Sequence, residues 1–148
     1  NWKVVNDTVM GGRSSSRWTS NSSAFIFEGN LSLENNGGFA SSRLSFNRET
    51  LTGVKAFRLK IKGDGNTYKL RLNQFNRRAS YSSNFKSSKN KWTEVEITLD
   101  DFEPTWRGYA YSNYPEVDIK KVNSLGIQIS DKQEGEFILE IKYIKAIY

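Results

Sequence analysis

The chain of 148 residues contains no cysteine and no histidine. Those two gaps remove whole chemistries: no thiol nucleophile, no disulfide, no Ser–His pair and no ordinary zinc site can be built. A cysteine-free chain suits reducing and oxidising compartments alike, so redox gives no location. The compartment stays open, with a soluble, cytoplasmic setting expected slightly ahead of a periplasmic one. The first residue is Asn1 rather than Met, so a leader removed earlier would leave no trace. Only 2 prolines occur, and no apolar run approaches the roughly 20 residues a membrane helix needs. For catalysis there remain carboxylates, Lys, Tyr and Ser. A hard cation held by Asp, Asn and carbonyl oxygens also stays open, and no cofactor is expected.

What is present points to strands. Hydrophobic residues make up 36% and aromatics 14%, enough for one domain, residues 1–148, to bury a core. The 11 glycines, with many Ser, Thr, Asn, Val, Ile and Tyr, favour strands joined by turns. Residues 54–62 give the cleanest alternation: Phe57, Leu59 and Ile61 face one way, Arg58, Lys60 and Lys62 the other. Gly63-Asp64-Gly65-Asn66 reads as a turn, after which residues 67–74 return with Tyr68, Leu70 and Leu72 opposed to Lys69 and Arg71. Further strands are expected over residues 24–34, 39–46, 79–85, 92–99, 124–130 and 136–147. Between Asp100 and Val122 the alternation lapses in an aromatic-rich connection that holds both prolines. The pattern predicts an all-β protein, a single β-sandwich of jelly-roll type.

Charge is unevenly placed. Residues 54–91 hold 11 basic residues and 1 acid, whereas residues 92–148 hold 6 basic and 11 acidic. A basic hairpin could meet nucleic acid or another polyanion. The expectation here is instead that Arg58, Lys60, Lys69 and Arg71 lie across from Glu94, Glu96 and Glu140 on neighbouring strands.

The stretch from Trp2 to Ser16 packs an aromatic, Asn6-Asp7, Val9-Met10 and Gly11-Gly12 into one run. It reads as a strand end and a tight turn, with Trp2, Val9 and Met10 in the core and the serines bonding turn backbone. Beside it stand Gly38-Phe39-Ala40-Ser41-Ser42-Arg43, the string from Lys62 to Leu72, Tyr81, Phe85 and Trp92-Thr93-Glu94-Val95. Asp101 to Gly108, Leu125 to Asp131 and Gly135 to Ile141 complete the set. Together these strings resemble the complex I intermediate-associated protein 30 family, whose domain is similar to the galactose-binding-like sandwich. Members usually carry a further apolar strand before the Trp; here that position precedes Asn1.

The resemblance implies a non-catalytic role. Eukaryotic members are associated with assembly of respiratory complex I, where the domain binds partner proteins. Plastid relatives attach it to a dehydrogenase-like domain that handles messenger RNA, and a domain of this size looks like a bacterial member. A protein partner is therefore expected first, with Trp106, Arg107, Tyr109 and Tyr111 as its contacts, since Trp, Tyr and Arg dominate binding hot spots. A glycan is the alternative partner, because carbohydrate-binding modules use the same fold. Arg71, Asn73, Gln74, Tyr81 and Asn84 would form its polar face, with Tyr81 as the stacking platform. RNA contact through the basic middle ranks last. Asp7, Met10, Gly11, Gly12, Arg43, Asp64, Tyr68 and Trp92 are expected to fix the loops at one end, with Asp7 capping the Gly-Gly turn or pairing with Arg43. Asp7, Asp64, Asp101 and Asp131 are the aspartates on these strings, expected to cap turns rather than do chemistry.

Overall fold

The computed structural model describes residues 2–6, 14–20, 24–33, 38–106, 109–110, 114–130 and 133–148, with the backbone alone at residues 2–6, 15, 106, 109 and 110. The strands are β1 (Trp2–Asn6), β2 (Ser15–Ser20), β3 (Phe25–Leu31), β4 (Ala40–Ser45), β5 (Ala56–Lys62) and β6 (Thr67–Gln74). They continue as β7 (Ser80–Lys86), β8 (Trp92–Thr98), β9 (Glu103–Trp106), β10 (Tyr109–Ala110), β11 (Val122–Ile129) and β12 (Gly135–Ile147). Short 3-10 turns at Leu99–Asp101 and Ile119–Lys121 interrupt the long connection. No helix of the described residues is long and apolar enough to cross a membrane.

The strands form two antiparallel sheets, ordered β1-β4-β11-β6-β7-β9-β10 and β2-β3-β12-β5-β8. From β3 to β6 the chain changes sheet at every step, and it changes again from β11 to β12. That alternation is the all-β jelly-roll sandwich expected from the strand pattern.

Each sheet turns one face inward because its apolar residues recur with period two. On β6, Tyr68, Leu70, Leu72 and Gln74 are buried while Thr67, Lys69, Arg71 and Asn73 stay partly exposed. On β5, Phe57, Leu59 and Ile61 are buried against them from the opposite sheet. Each such side chain contributes about 1.5–3 kcal/mol by leaving water. Rings lock the layers further: Phe27 meets Phe137 at 5.1 Å and Phe57 meets Phe102 edge-on at 6.1 Å. A bulge between Ile141 and Tyr143 resets β12, so that Ile144 pairs with Leu59 while Tyr143 and Lys145 turn outward.

Two expectations need correction. The first is the basic hairpin. β5 and β6 are not paired; they lie in different sheets, and residues 63–66 arch across the sandwich. At Gly63 a Cβ would stand 2.2 Å from Ser87 Cβ, so only glycine admits that crossing. The second concerns strands the alternation did not reveal. β1, β2, β9 and β10 all pair, and β2 does so despite its serines because Trp18 packs inward against Phe25 and Phe27.

Candidate functional site

Splitting β5 from β6 sends their cations to opposite outer faces. On the five-stranded sheet the β5 cations meet acids. Arg58 Nη2 lies 2.8 Å from Glu96 Oε1, and Arg58 Nε lies 3.5 Å from Glu94. Lys62 Nζ lies 3.2 Å from Glu140 and sits 5.2 Å from the centre of the Trp92 ring. Lys60 stands opposite Glu94 in register, Tyr143 donates to Glu94, and Arg17 pairs with Glu28. On this face Arg17, Arg58 and Lys62 thus have acid partners, while Lys142 and Lys145 lie over the Trp92 and Tyr143 rings.

The outer face of the seven-stranded sheet is different. The register lines up Arg43 on β4, Gly126 on β11, Arg71 on β6, Ser82 on β7 and Glu103 on β9 in one row. The adjacent rows place Ser41, Gln128, Lys69 and Asn84 on one side, and Ser45, Ser124, Asn73, Ser80 and Thr105 on the other. Lys69 donates to Asn84 Oδ1 at 3.2 Å. Lys69 and Arg71, expected opposite Glu94, Glu96 and Glu140, are thus a whole sandwich away from those acids.

Arg71 is partly buried and donates from Nη2 to Ser80 Oγ at 2.9 Å. Among the described residues it has no carboxylate partner. Burial pushes its guanidinium down to about 10, and the like charge of Arg43 adds to the shift. Although they face away from the core, Ser41, Ser80, Ser82 and Ser124 are only 5–9% exposed. Small hydroxyl residues are thus sheltered between longer neighbours on this face, and at Gly126 a Cβ would stand 3.2 Å from the Ser42 carbonyl oxygen.

At one end of the sandwich the Gly-Asp-Gly-Asn-Thr-Tyr string builds a closed polar knot. Asp64 accepts from the Asn66 backbone N–H at 3.0 Å, Asn66 Nδ2 at 3.0 Å and Tyr68 Oη at 3.0 Å. It also accepts from the Ile138 N–H at 2.9 Å and from Ser87 Oγ at 3.4 Å. Ile138 sits where β12 runs past the end of β5, so Asp64 satisfies a strand edge the arch leaves open. Burial above all, and then the Asp64 charge, hold the Tyr68 phenol well above its ordinary range. A cleft of about 660 Å³ borders this knot, lined in part by Arg17, Glu28, Asp64 and Glu136. The oxygens of Asp64 are engaged by these donors, and Glu28 is held by Arg17.

Residues 1–141 match the family model described as Complex I intermediate-associated protein 30 (CIA30). The chain belongs to that family. It is 26% identical to "Complex I intermediate-associated protein 30, mitochondrial" of Mus musculus, over 97% of this chain and 51% of the relative. A Caenorhabditis elegans protein, "Probable complex I intermediate-associated protein 30, mitochondrial", is 29% identical over 80% of this chain and 41% of its own length. The chain thus spans about half the length of the mouse relative and less of the worm one. Among solved structures, the family 11 carbohydrate-binding module of a Clostridium thermocellum cellulosomal cellulase superposes with a TM-score of 0.74 at 15% identity, covering 99% of this chain and 87% of the module. That module in complex with a mixed-linked tetrasaccharide gives 0.71 at 14%, over 99% and 88%. At such identities the likeness concerns the fold alone.

The CIA30 fold separates the residues expected to share a glycan face. Arg71, Asn73 and Asn84 do point outward together. Tyr81 and Gln74 point into the sandwich, at 0% and 3% exposure, so Tyr81 cannot be a stacking platform. Tyr81 pairs in register with Leu72, and its hydroxyl donates to the Pro115 carbonyl at 2.8 Å and accepts from Arg77 at 2.6 Å. Gln74 Oε1 accepts from the Asp118 N–H at 2.7 Å. Both tie the long connection to the sheet. Of the expected protein contacts, Trp106 and Tyr109 pair with each other in the β9–β10 hairpin at the edge of the seven-stranded sheet, while Arg107 and Tyr111 lie outside the described residues. Asp7, Met10, Gly11, Gly12 and Asp131 also lie outside them. Asp64 and Tyr68 form the knot, Trp92 lies on the five-stranded outer face under Lys62, and Asp101 caps Thr98. The sequence pattern assigns Arg43 only to loop support; its place in the Arg71 row cannot be read without knowing that β11 lies between β4 and β6.

Proposed function

We propose that this CIA30 domain is a non-catalytic module that docks a partner protein on the outer face of its seven-stranded sheet. The observation that carries the reading is the contrast between the two outer faces. One has its cations matched by acids across the strands, and the other presents Arg43 and Arg71 with no carboxylate beside them among the described residues. The names of the relatives, which associate them with an intermediate of complex I, support a protein as the partner. The β9–β10 hairpin, which carries Trp106 and Tyr109, borders the same sheet, and Arg107 and Tyr111 neighbour them in sequence; Trp, Tyr and Arg are the residue types that anchor interfaces. Crosslinking capture from the source cell tests this. A saturable partner joined through Lys69 or Lys86, and not through Lys60, is the expected result. Capture only through Lys60 or Lys142 would overturn the choice of face.

A second reading, carbohydrate binding, draws support from the shared fold and from Arg71, Asn73 and Asn84 facing outward together. It is weakened because no described side chain of β4, β6, β7 or β11 on this outer face is aromatic, and neutral sugars need flat rings. A glycan array run on the same protein separates the two. A hit that Asn84→Ala removes, with no protein captured, would replace the first reading by the second.

A further inference from the structure

We propose that Arg43 and Arg71, standing astride Gly126, form a receptor for a carboxylate on an acidic segment of the partner protein. This rests on the protein-docking reading and specifies what that face recognises.

The geometry comes first. Arg43 and Arg71 occupy one row on β4 and β6, with β11 between them. Neighbouring strands lie about 4.8 Å apart, which sets the two Cα atoms about 10 Å apart. The position between them is Gly126, so no side chain stands between the two arginines; Arg71 Nη2 rests on Ser80 Oγ of β7 and would turn back across that gap to share an anion with Arg43. Any Cβ there would crowd the Ser42 carbonyl at 3.2 Å and touch Arg71 Cβ at 3.9 Å. The flanking rows add Ser41, Ser80, Ser124, Asn73 and Gln128, whose hydroxyl and amide hydrogens can complete the coordination of an anion.

Energetics point the same way. Two like charges in one row, one of them partly buried, oppose folding unless something compensates. Arg71 has a serine oxygen as its only acceptor among the described residues, so most of its donors remain available. Arg58 on the other face has two glutamates, so the fold does supply acids to arginines where no ligand is needed. A carboxylate satisfies the guanidinium fork by paired hydrogen bonds, and the partly dry setting strengthens them.

The choice of ligand follows from scale and surroundings. The receptor is compact, and Glu103 ends its row on β9. That suits one or two carboxylates in a protein segment, whereas a nucleic-acid backbone would call for a long cationic track without an acid in it.

The test measures fluorescence anisotropy of a labelled oligoglutamate peptide with the whole domain, with polygalacturonate and inorganic phosphate as competitors. Arg71→Gln should weaken peptide binding about thirtyfold or more, as truncating one member of a hydrogen-bonded charge pair does. Arg43→Gln, at an exposed position less prone to folding failure, should weaken it several-fold, and Arg71→Lys should fall between wild type and Arg71→Gln. Arg58→Gln removes the same charge from the other face and should leave binding unchanged, which separates a site from overall charge. Peptide addition should also move the Gly126 and Ser80 amide resonances. Equal binding by wild type, Arg71→Gln and Arg43→Gln would overturn the inference, as would phosphate or polygalacturonate matching or exceeding the peptide. A captured partner that still crosslinks saturably to both variants would overturn it while leaving protein docking in place. Peptide binding lost in the variants, with no partner captured by wild type, would support the receptor and sink the docking reading.

Discussion

Replacing Asp64 by alanine tests whether the Gly-Asp-Gly-Asn knot is structural. The carboxylate holds Tyr68 Oη at 3.0 Å, the Ile138 N–H at 2.9 Å and both Asn66 donors at 3.0 Å. Tyr68 is fully buried, so Asp64→Ala takes from its hydroxyl the carboxylate that accepts its hydrogen bond. Such an orphaned donor costs about 1–3 kcal/mol. Ile138 N and Asn66 are reached by solvent more easily, and Ser87 Oγ keeps the Asn66 carbonyl at 2.8 Å, so these add less. A total loss of about 2–4 kcal/mol is expected, which for a domain of this size lowers Tm by roughly 5–15 °C. Tyr68→Phe alone should cost about 1 kcal/mol, since it removes the donor and leaves the carboxylate its other partners. The double variant should then be more stable than the sum of the singles predicts, by about 1–2 kcal/mol, because a phenyl ring in place of the phenol strands no hydroxyl. Urea and thermal unfolding followed by near-UV circular dichroism give all these values. An Asp64→Ala protein melting within about 2 °C of wild type, or strictly additive singles, would refute the structural assignment.

Other outcomes follow from neighbouring features. Tyr68 has its folded pKa raised, so its contribution is complete below the unfolded phenol value of about 10 and is lost as pH climbs beyond it. Urea midpoints should therefore fall above about pH 10, and fall less in Tyr68→Phe. Gly63→Ala drives a Cβ to 2.2 Å from Ser87 Cβ and should destabilise severely, with Ser87→Gly restoring part of the loss in a thermal melt. Ser42 Oγ is buried with no hydrogen-bond partner among the described residues, so Ser42→Ala should hold or raise the urea midpoint. A lowered midpoint would mean the hydroxyl is satisfied by a trapped water.

Local alternation carried most of the fold. β6 runs from Thr67 to Gln74 as its period-two pattern indicates, and β5, β8 and β12 fall within two residues of their expected bounds. What alternation cannot carry is the sheet to which each strand belongs. Gly63-Asp64-Gly65-Asn66 has hairpin chemistry, and a tight turn between two amphipathic strands reads alike whether they pair or face each other across a core. That one ambiguity misplaced Lys69 and Arg71 electrostatically. The glycan face contained a contradiction readable in advance: Asn73 and Gln74 are consecutive on one strand and must point to opposite faces. Tyr81 and Asn84, an odd number of residues apart, are separated in the same way. The Arg43–Arg71 row was out of reach, because it depends on β11 inserting between strands far from it in sequence. β2 and β9 escaped notice because Ser and Pro weaken the strand signal where pairing with a neighbour supplies what propensity lacks.

β11, which lies between β4 and β6 in the seven-stranded sheet, and β12, at the centre of the five-stranded one, are the last two strands in chain order. Until they emerge, β4 has no route to β6, and β3 has none to β5. β3, β4, β5 and β6 therefore each wait with one bare hydrogen-bonding edge, an arrangement open to wrong pairing. A nascent chain halted before residue 122 thus holds strands of both sheets without the one in each that joins its two parts.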